Sequence, residues 1–189
     1  MPAHPPARLH RAATIVRAGG VIAYPTEGVY GFGCRPDDAA AVGWLLDLKK
    51  RPVSAGLILL AVDWAQLEGW VAPTADEGRR LAVPATRPVT WVVRAGPLTA
   101  DWITGGRATV AVRVTTHAVA AALCRSVGMP IVSTSANRRG KPPARSAVAV
   151  RARFGRQIPL VVGGAIGQLS GPTPIRLAAT GAYLRTTST

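Results

Sequence analysis

Short apolar runs alternate along the chain with amphipathic stretches, and turn-forming residues separate them. The apolar runs have strand length and contain many β-branched side chains, which is typical of buried strands. In the amphipathic stretches the apolar residues recur three and four positions apart, which is typical of helices packed on one face. Strands are predicted at 21–24, 56–62, 89–93, 109–114, from Ile131 onward, and at 159–162, 174–177 and 183–186, and helices at 7–18, 36–49, 75–81, 117–127 and 146–154.

Polar residues and glycine set the predicted ends of several elements. Asp63 is a credible N-cap for a short helix, and Thr116 is predicted to cap a helix that ends at Gly128. The glycine-rich run 25–34 is predicted to be a connection between a strand and a helix, and 98–107 is predicted to be a loop.

The apolar pattern also indicates the fold class. The run from Gly56 to Val62 is apolar throughout, which favours a strand covered on both faces. Strands and helices mix without a strict β-α-β rhythm. The sequence therefore predicts an α/β or α+β fold, with one twisted, mixed sheet flanked by helices in a single domain over residues 1–189.

The composition favours a globular, cytoplasmic protein. Hydrophobic residues make up 48% of the chain and the mean hydropathy is +0.21, yet no run of about 18 apolar residues could span a bilayer. The opening segment Met1–Pro6 lacks the apolar core of a signal peptide. Two cysteines, Cys34 and Cys124, are too few for a disulfide framework. No membrane association is expected.

The chain is strongly basic. Its net charge is 23 − 9 = +14, which biases its partners toward nucleotides and nucleic acids. Only three of its 23 basic residues are lysines, namely Lys49, Lys50 and Lys141. Because an ammonium is more compact than a guanidinium, a lysine kept in an arginine-rich chain suggests a specific need for one. The histidines are scattered and the acidic residues do not cluster, so neither a metal site nor a catalytic triad is predicted.

The strand that begins at Ile131 breaks into small hydroxyl residues and then into a basic loop at 138–143. Ser133 and Ser135 are two positions apart, so their side chains are predicted to share one face, with Asn137 next in line. Hydroxyl groups, an amide and nearby cations suit an oxyanion such as phosphate. The alternative is that the hydroxyl residues merely end a strand and that the basic loop is solvated.

Three further cations allow two interpretations each. Lys49 and Arg51 could neutralise a triphosphate, or could simply compensate the dipole at a helix end. Arg113 interrupts an apolar strand, so it must either face solvent or pair with an anion, for which a carboxylate is the natural partner. Thr26 and Glu27 lie at a strand end, where open α/β sheets commonly bind ligands.

Four segments carry more information together than apart: Ala23–Cys34, Leu48–Pro52, Ala111–Val114 and Ser133–Asn137. In order and spacing they resemble the YrdC-like threonylcarbamoyl-AMP synthase family. The resemblance extends from the first strand to Arg185, and the length is similar to that of the short bacterial form. The K-x-R and S-x-N signatures are specific when they occur together.

The resemblance implies a twisted mixed sheet with a large basic concave surface. It also implies that L-threonine, bicarbonate and ATP react to give threonylcarbamoyl-AMP and pyrophosphate. The product would serve the threonylcarbamoyl modification of adenosine 37 in tRNAs that read ANN codons, through a downstream threonylcarbamoyl transferase complex. Mg²⁺ would arrive on the phosphate oxygens of ATP.

The resemblance assigns roles to nine residues. Arg113 would bind the amino-acid carboxylate, and Lys49 and Arg51 would serve both binding and catalysis. The ATP side comprises Lys49, Arg51, Ser135, Asn137 and Arg185, and the threonine side comprises Thr26, Arg113, Ser133 and Thr173.

The sequence departs from the commonest family pattern at several positions. Thr173 stands where serine is common, and Leu177 where aspartate is frequent. Gly28 stands where many members have threonine, and Ala55 stands where a lysine often follows the K-R-P segment. Pro143 stands where a serine can assist the binding of ATP. The last two changes bear on phosphate binding, for which Lys50 or Lys141 could compensate.

Two functional hypotheses follow. The first is an active threonylcarbamoyl-AMP synthase. The alternative is an RNA-binding protein that uses the same basic concavity for tRNA, double-stranded RNA or structured rRNA, and the +14 charge motivates it. The enzyme ranks first, because an excess of charge does not require the S-x-N signature or an arginine within an apolar strand.

Overall fold

The computed structural model describes residues 6–83 and 87–186, which form nine strands and six α-helices. The strands are β1 (Ile22–Pro25), β2 (Tyr30–Gly33), β3 (Ile58–Ala61), β4 (Thr90–Arg94), β5 (Thr109–Val114), β6 (Ile131–Ser135), β7 (Leu160–Val161), β8 (Ile175–Leu177) and β9 (Tyr183–Arg185). The helices are α1 (Pro6–Arg17), α2 (Ala39–Lys49), α3 (Ala75–Leu81), α4 (Asp101–Thr104), α5 (Ala118–Val127) and α6 (Ala147–Phe154).

All nine strands belong to one mixed sheet in the order β7-β1-β2-β6-β3-β5-β4-β8-β9. The pairs β1/β7, β3/β5 and β4/β8 are parallel, and the other neighbouring pairs are antiparallel. The predicted α/β architecture around one mixed sheet is therefore confirmed. None of the helices within the described ranges is long and apolar enough to cross a membrane.

Two hydrophobic clusters cover the two faces of the sheet. The first cluster packs α2 and α6 against one face, where Phe32 and Phe154 meet edge to face with ring centroids 4.8 Å apart. The second packs α1 and α5 against the other face. Strand β3 contributes Leu59 to the first cluster and Leu60 to the second. This confirms that the apolar run at 56–62 contains a strand covered on both sides, which spans Ile58–Ala61.

Helices α1 and α5 cover only part of the sheet face on which they pack, and a cavity lies over the uncovered part. Side chains two positions apart on a strand point to the same face of the sheet. On that face, one residue of a strand therefore packs in the core and the residue two positions further on lines the cavity. In β6, Ile131 belongs to the second cluster and Ser133 lines the cavity. In β1, Tyr24 belongs to that cluster and Thr26, just beyond the strand, lines the cavity.

The end of α2 is shaped by an unusual residue. Lys50 adopts a left-handed conformation with φ 52°, and it is the one non-glycine residue in the described ranges with positive φ. The amide of Lys50 donates to Asp47 (3.0 Å) and that of Arg51 donates to Leu46 (2.9 Å), which is the Schellman pattern. A lysine in this conformation costs about 1 kcal/mol or more. The turn places Lys49 and Arg51 on either side of Lys50.

Three local predictions were wrong. Within 25–34, predicted as a connection, residues 30–33 form β2, because β1 and β6 supply backbone partners on both sides. The predicted loop 98–107 contains the short helix α4. Thr116 does not cap α5: His117 is the N-cap residue, and its amide donates to the Thr115 hydroxyl at 3.2 Å.

Candidate active site

The predicted site residues converge on a cavity and a smaller pocket beside it. The cavity has a volume of about 490 Å³ and the pocket about 150 Å³. Arg51 and Ser135 line both. Seven of the nine predicted residues line the cavity: Thr26, Arg51, Arg113, Ser133, Ser135, Thr173 and Arg185. The other two, Lys49 and Asn137, line the smaller pocket.

Arg113 is held rigidly at the wall of the cavity. It is only 6% exposed, and the residues on either side of it in the strand, Val112 and Val114, are apolar. One of its terminal nitrogens donates to the Thr173 hydroxyl at 2.9 Å, and that hydroxyl also lies 2.8 Å from the hydroxyl of Thr90. The other terminal nitrogen lies 3.6 Å from the Glu27 carboxylate. Of the two predicted arrangements, solvent or an anion, the structure has the anion, and the chain itself supplies it.

Glu27 is a buried member of the site whose pairing with Arg113 the sequence did not predict. The Thr115 hydroxyl donates to one of its oxygens at 2.5 Å. Burial alone would raise the pKa of Glu27, but the Arg113 charge and the Thr115 hydrogen bond together hold this pKa below its ordinary value. Glu27 is therefore charged and fixes the Arg113 side chain. Its position beside Thr26 at a strand end was the signal available in the sequence.

Lys49 joins the end of α2 to the end of β6. Its ammonium donates to the carbonyl oxygens of Ser135 and Asn137, the latter at 2.8 Å. The side chain is almost fully buried, at 4% exposed. Burial, followed by the nearby charge of Arg51, lowers the pKa of Lys49 from 10.5 to about 7. An anion that enters this pocket would meet an ammonium that pairs with none of the carboxylates in the described segments.

The side chain of Asn137 organises the loop that follows β6. Its amide nitrogen donates to the carbonyls of Arg138 (3.0 Å) and Lys141 (2.7 Å), and its amide oxygen accepts from the Ser135 hydroxyl at 2.6 Å. Ser133 and Ser135 both line the cavity, as the strand alternation predicted. Asn137 lies beyond the strand and lines the smaller pocket but not the cavity. The S-x-N signature therefore has a structural task here, which is to fix the turn that holds Lys49.

Two arginines, Arg51 and Arg185, add positive charge to the site, and no carboxylate of the described residues neutralises it. Arg51 donates to the carbonyls of Ala55 (3.1 Å) and Gly56 (2.8 Å), and Arg185 donates to the carbonyl of Thr173 (2.7 Å). Burial first, and neighbouring cations second, lower the pKa of both guanidinium groups. Among the described residues, no carboxylate forms an ion pair with Lys49, Arg51 or Arg185. The site is thus suited to a polyanion.

The positions that depart from the family pattern differ in their relation to the cavity. Ala55 lines both the cavity and the pocket and brings no charge to either, whereas Pro143 lines neither. Lys50 and Lys141 also line neither, so the structure does not place them where they would replace a phosphate-binding lysine. Leu177 lines the cavity, where it adds apolar surface.

A strap, defined as residues 163–172, crosses the segment that leads from β1 to β2. Its backbone amides donate to the carbonyls of Thr26 (from Gly167, 2.9 Å) and Glu27 (from Leu169, 3.0 Å). A Cβ atom placed on Gly28 would lie 2.0 Å from the carbonyl oxygen of Gly171. The strap can therefore approach this closely only because residue 28 has no side chain.

Substitution Gly28→Ala is expected to displace the strap. The added carbon has no room, so we expect a loss of about 1–3 kcal/mol in the free energy of unfolding and faster proteolysis within 163–172. Denaturant unfolding and limited proteolysis would measure both. Gly43→Ala is the control: nothing lies within 4 Å of its added carbon in α2, and a gain of about 1 kcal/mol is expected. Equal stability of the Gly28 variant and the wild type would contradict the prediction.

Metal ligands do not gather anywhere in the described part of the chain. No group of three or more histidine, cysteine or acidic side chains there could hold an ion. Cys34 and Cys124 are both buried, and burial raises the pKa of each thiol to about 12. Neither thiol has the character of a nucleophile.

The family model named Sua5/YciO/YrdC, which carries the description "Telomere recombination", matches residues 14–185. The chain belongs to this family. A threonylcarbamoyl-AMP synthase of Nitrosococcus oceani is 48% identical over 94% of this chain and 97% of its own length. One from Halorhodospira halophila is 49% identical over 95% of each chain.

Solved structures of Sua5/YciO/YrdC proteins have the same fold. The crystal structure of P. abyssi Sua5 complexed with L-threonine superposes with a TM-score of 0.82 at 32% identity, and covers 89% of this chain and 50% of that one. This chain thus spans half the length of that Sua5 protein. E. coli YciO superposes with a TM-score of 0.81 at 25% identity, over 94% of this chain and 88% of its own. The family predicted from the four sequence segments is confirmed.

Proposed function

We propose that the protein is a threonylcarbamoyl-AMP synthase, which converts L-threonine, bicarbonate and ATP into threonylcarbamoyl-AMP and pyrophosphate. The observation that carries the proposal is one cavity that joins two kinds of anion site. A buried, oriented guanidinium at Arg113 suits an amino-acid carboxylate. The cations Lys49, Arg51 and Arg185, which pair with no carboxylate within residues 6–83 and 87–186, suit a triphosphate. The names of the relatives, at 48% and 49% identity over nearly the whole chain, support the same reaction.

On the threonine side, Arg113 would bind the carboxylate. Glu27 and Thr173 hold its guanidinium in place before the substrate arrives, so little side-chain entropy is lost on binding. The hydroxyls of Thr26 and Ser133 line the same cavity and can bond to the amino acid. The Thr26 hydroxyl donates to the Val29 carbonyl at 2.7 Å, which leaves its oxygen free to accept.

On the ATP side, the cations would neutralise the phosphates and the charge that develops on the leaving pyrophosphate. The threonine amine takes up carbon dioxide, which bicarbonate supplies with loss of water, and forms a carbamate. A carbamate oxygen then attacks the α-phosphate in line and displaces pyrophosphate. Such a transfer depends on positioning and charge stabilisation rather than on a protein nucleophile. Lys49, Arg51 and Ser135 meet where the cavity joins the smaller pocket, which suits this role. Mg²⁺ bound to ATP would screen further phosphate charge.

The RNA-binding alternative is not favoured. The similar curated proteins are synthases, and the cations named above converge on a cavity rather than on a convex surface. We infer that the product passes to a tRNA-modifying threonylcarbamoyl transferase complex, because a mixed carbamic–phosphoric anhydride is labile and needs a prompt acceptor.

The experiment that tests the proposal is an assay of pyrophosphate release from ATP, Mg²⁺ and bicarbonate, with and without L-threonine. Release that depends on both threonine and bicarbonate is expected, with threonylcarbamoyl-AMP detected by mass spectrometry. L-Alanine in place of threonine serves as the matched control substrate. A folded protein that releases no pyrophosphate under any of these conditions would refute the proposal.

A further inference from the structure

Arg107 brings another guanidinium to the cavity, and the mechanism above does not use it. It follows α4 and two glycines, Gly105 and Gly106, which have left-handed φ angles of 68° and 79°. A Cβ atom on Gly105 would lie 2.8 Å from the carbonyl oxygen of Ser54, so this bend packs tightly against the turn at 53–55. The bend thereby directs Arg107 into the cavity lining, on which Arg51 also lies.

Arg51 and Arg107 hold the same short turn. Arg107 donates to the carbonyl of Ser54 at 2.7 Å, while Arg51 donates to those of Ala55 (3.1 Å) and Gly56 (2.8 Å). Three successive carbonyl oxygens thus accept from two guanidinium groups. Both side chains are fixed by neutral oxygens, which orient the charge without cancelling it.

The resulting pair of like charges has no counterion within the described chain. Neither Arg51 nor Arg107 forms an ion pair there, and Nε of Arg107 and its second terminal nitrogen have no acceptor there. Arg107 contributes to the lowered pKa of Arg51, after burial. The residues of the turn at 53–55 are uncharged. Repulsion between such cations is relieved when a polyanion binds.

We propose that Arg107, together with Arg51, binds the triphosphate of ATP and holds the pyrophosphate as it leaves. This inference rests on the proposed function. A guanidinium presents several N–H donors in one plane, which matches two oxygens of a phosphate. Arg107 thus supplies a positive charge beside the turn at 53–55, whose own residues, including Ala55, are uncharged.

The test compares steady-state kinetics of the wild type with Arg107→Gln and Arg107→Lys. Glutamine keeps a neutral N–H donor on a shorter side chain but carries no charge. We therefore expect Arg107→Gln to raise the KM for ATP about tenfold and to weaken inhibition by pyrophosphate similarly, as expected for one partly solvated charge-assisted contact. The KM for threonine should change by less than about twofold, since charge-assisted contacts to its carboxylate remain. Arg107→Lys should recover part of the loss. Arg125→Gln, an exposed arginine of α5 outside the cavity lining, should leave all constants unchanged.

Two kinetic results would overturn the inference. One is an ATP KM for Arg107→Gln equal to that of the wild type. The other is an equal rise in both KM values with a lower melting temperature, which would identify Arg107 as a brace for the turn alone. Titration with inorganic tripolyphosphate decides the question separately from catalysis. If the wild type shows no threonine-dependent release of pyrophosphate, the proposed function fails, but the anion site can still be tested. Tripolyphosphate binding about tenfold weaker in Arg107→Gln than in the wild type would support the anion site. Equal binding by the two proteins would overturn the anion site.

Discussion

Replacement of Arg113 by methionine is expected to raise the KM for threonine at least about a hundredfold, because two charge-assisted hydrogen bonds to the carboxylate are lost. The same change should lower the free energy of unfolding by about 3–5 kcal/mol, since Glu27 is left as an uncompensated buried charge. Pyrophosphate release at varied threonine and chemical denaturation would measure the two effects separately.

The double variant Glu27→Gln with Arg113→Met separates stability from binding. With the buried charge removed and the hydrogen bond from Thr115 retained, its unfolding free energy should return to within about 1 kcal/mol of the wild type. Threonine binding should not recover. If the double variant regains threonine-dependent activity, Arg113 does not bind the carboxylate.

The pH dependence provides a check on the sign of the Arg113 effect. In the wild type the folded pKa of Glu27 is below its ordinary value, so its contribution to stability is lost as the pH falls through that pKa. In Arg113→Met, burial prevails and the pKa of Glu27 should lie above its ordinary value. The deficit of the variant should therefore be largest at neutral pH and should shrink in acid.

Replacement of Lys49 by methionine is expected to weaken ATP binding about a hundredfold at pH 6.5, where the ammonium is charged. The pKa of Lys49 is about 7 in the empty protein, and a bound triphosphate should raise it. The affinity of the wild type for ATP should accordingly fall as the pH rises above 7, and the difference in ATP affinity between the wild type and Lys49→Met should become smaller. Proton uptake should accompany ATP binding near pH 8.

Calorimetric titration of ATP in buffers of different ionisation enthalpy would measure that uptake directly. Lys50→Met is the matched control, because Lys50 is adjacent but exposed and lines neither the cavity nor the smaller pocket. Uptake should vanish in Lys49→Met and persist in Lys50→Met. Persistence in both would show that another group takes up the proton.

Lys49 also affects the stability of the protein without ATP, and its contribution rises with pH as that of Glu27 does, but in a higher pH window. Its folded pKa lies below its ordinary value of 10.5, so the unfolded chain binds more protons between pH 7 and 10.5. The burial of the ammonium therefore opposes folding most strongly below pH 7, and stability from this residue rises with pH across the window.

The local pattern of apolar, polar and capping residues was sufficient to predict most of the helices and strands. The helix predicted at 75–81 and the strand predicted at 109–114 have these bounds in the structure, because capping residues and β-branched runs act over short distances. Strand β2 was missed because the two glycines in its sequence Tyr-Gly-Phe-Gly weaken the strand signal, and its partners β1 and β6 supply the pairing that makes it a strand. The helix α4 is a single turn, which is too short for a helical period to be visible.

The site was predictable to a similar degree. The nine residues carried over from the family resemblance do converge, and the common face of Ser133 and Ser135 followed from strand geometry. The ion pair of Glu27 with Arg113 joins a strand end to a distant strand, which no local pattern encodes. Arg107 was equally invisible, since its place at the cavity depends on two left-handed glycines, of which Gly105 packs against a remote turn.

The last strand in the described chain bears on the order of events during synthesis. Strand β9 brings Arg185 to a cavity whose wall includes Thr26, near the other end of the chain. Contacts between such distant segments form late, because the entropy of closing long loops must first be overcome. A polypeptide still emerging from the ribosome therefore has most of the cations but not the finished cavity. The complete set of cations should therefore be available to substrate only once β9 has paired with β8.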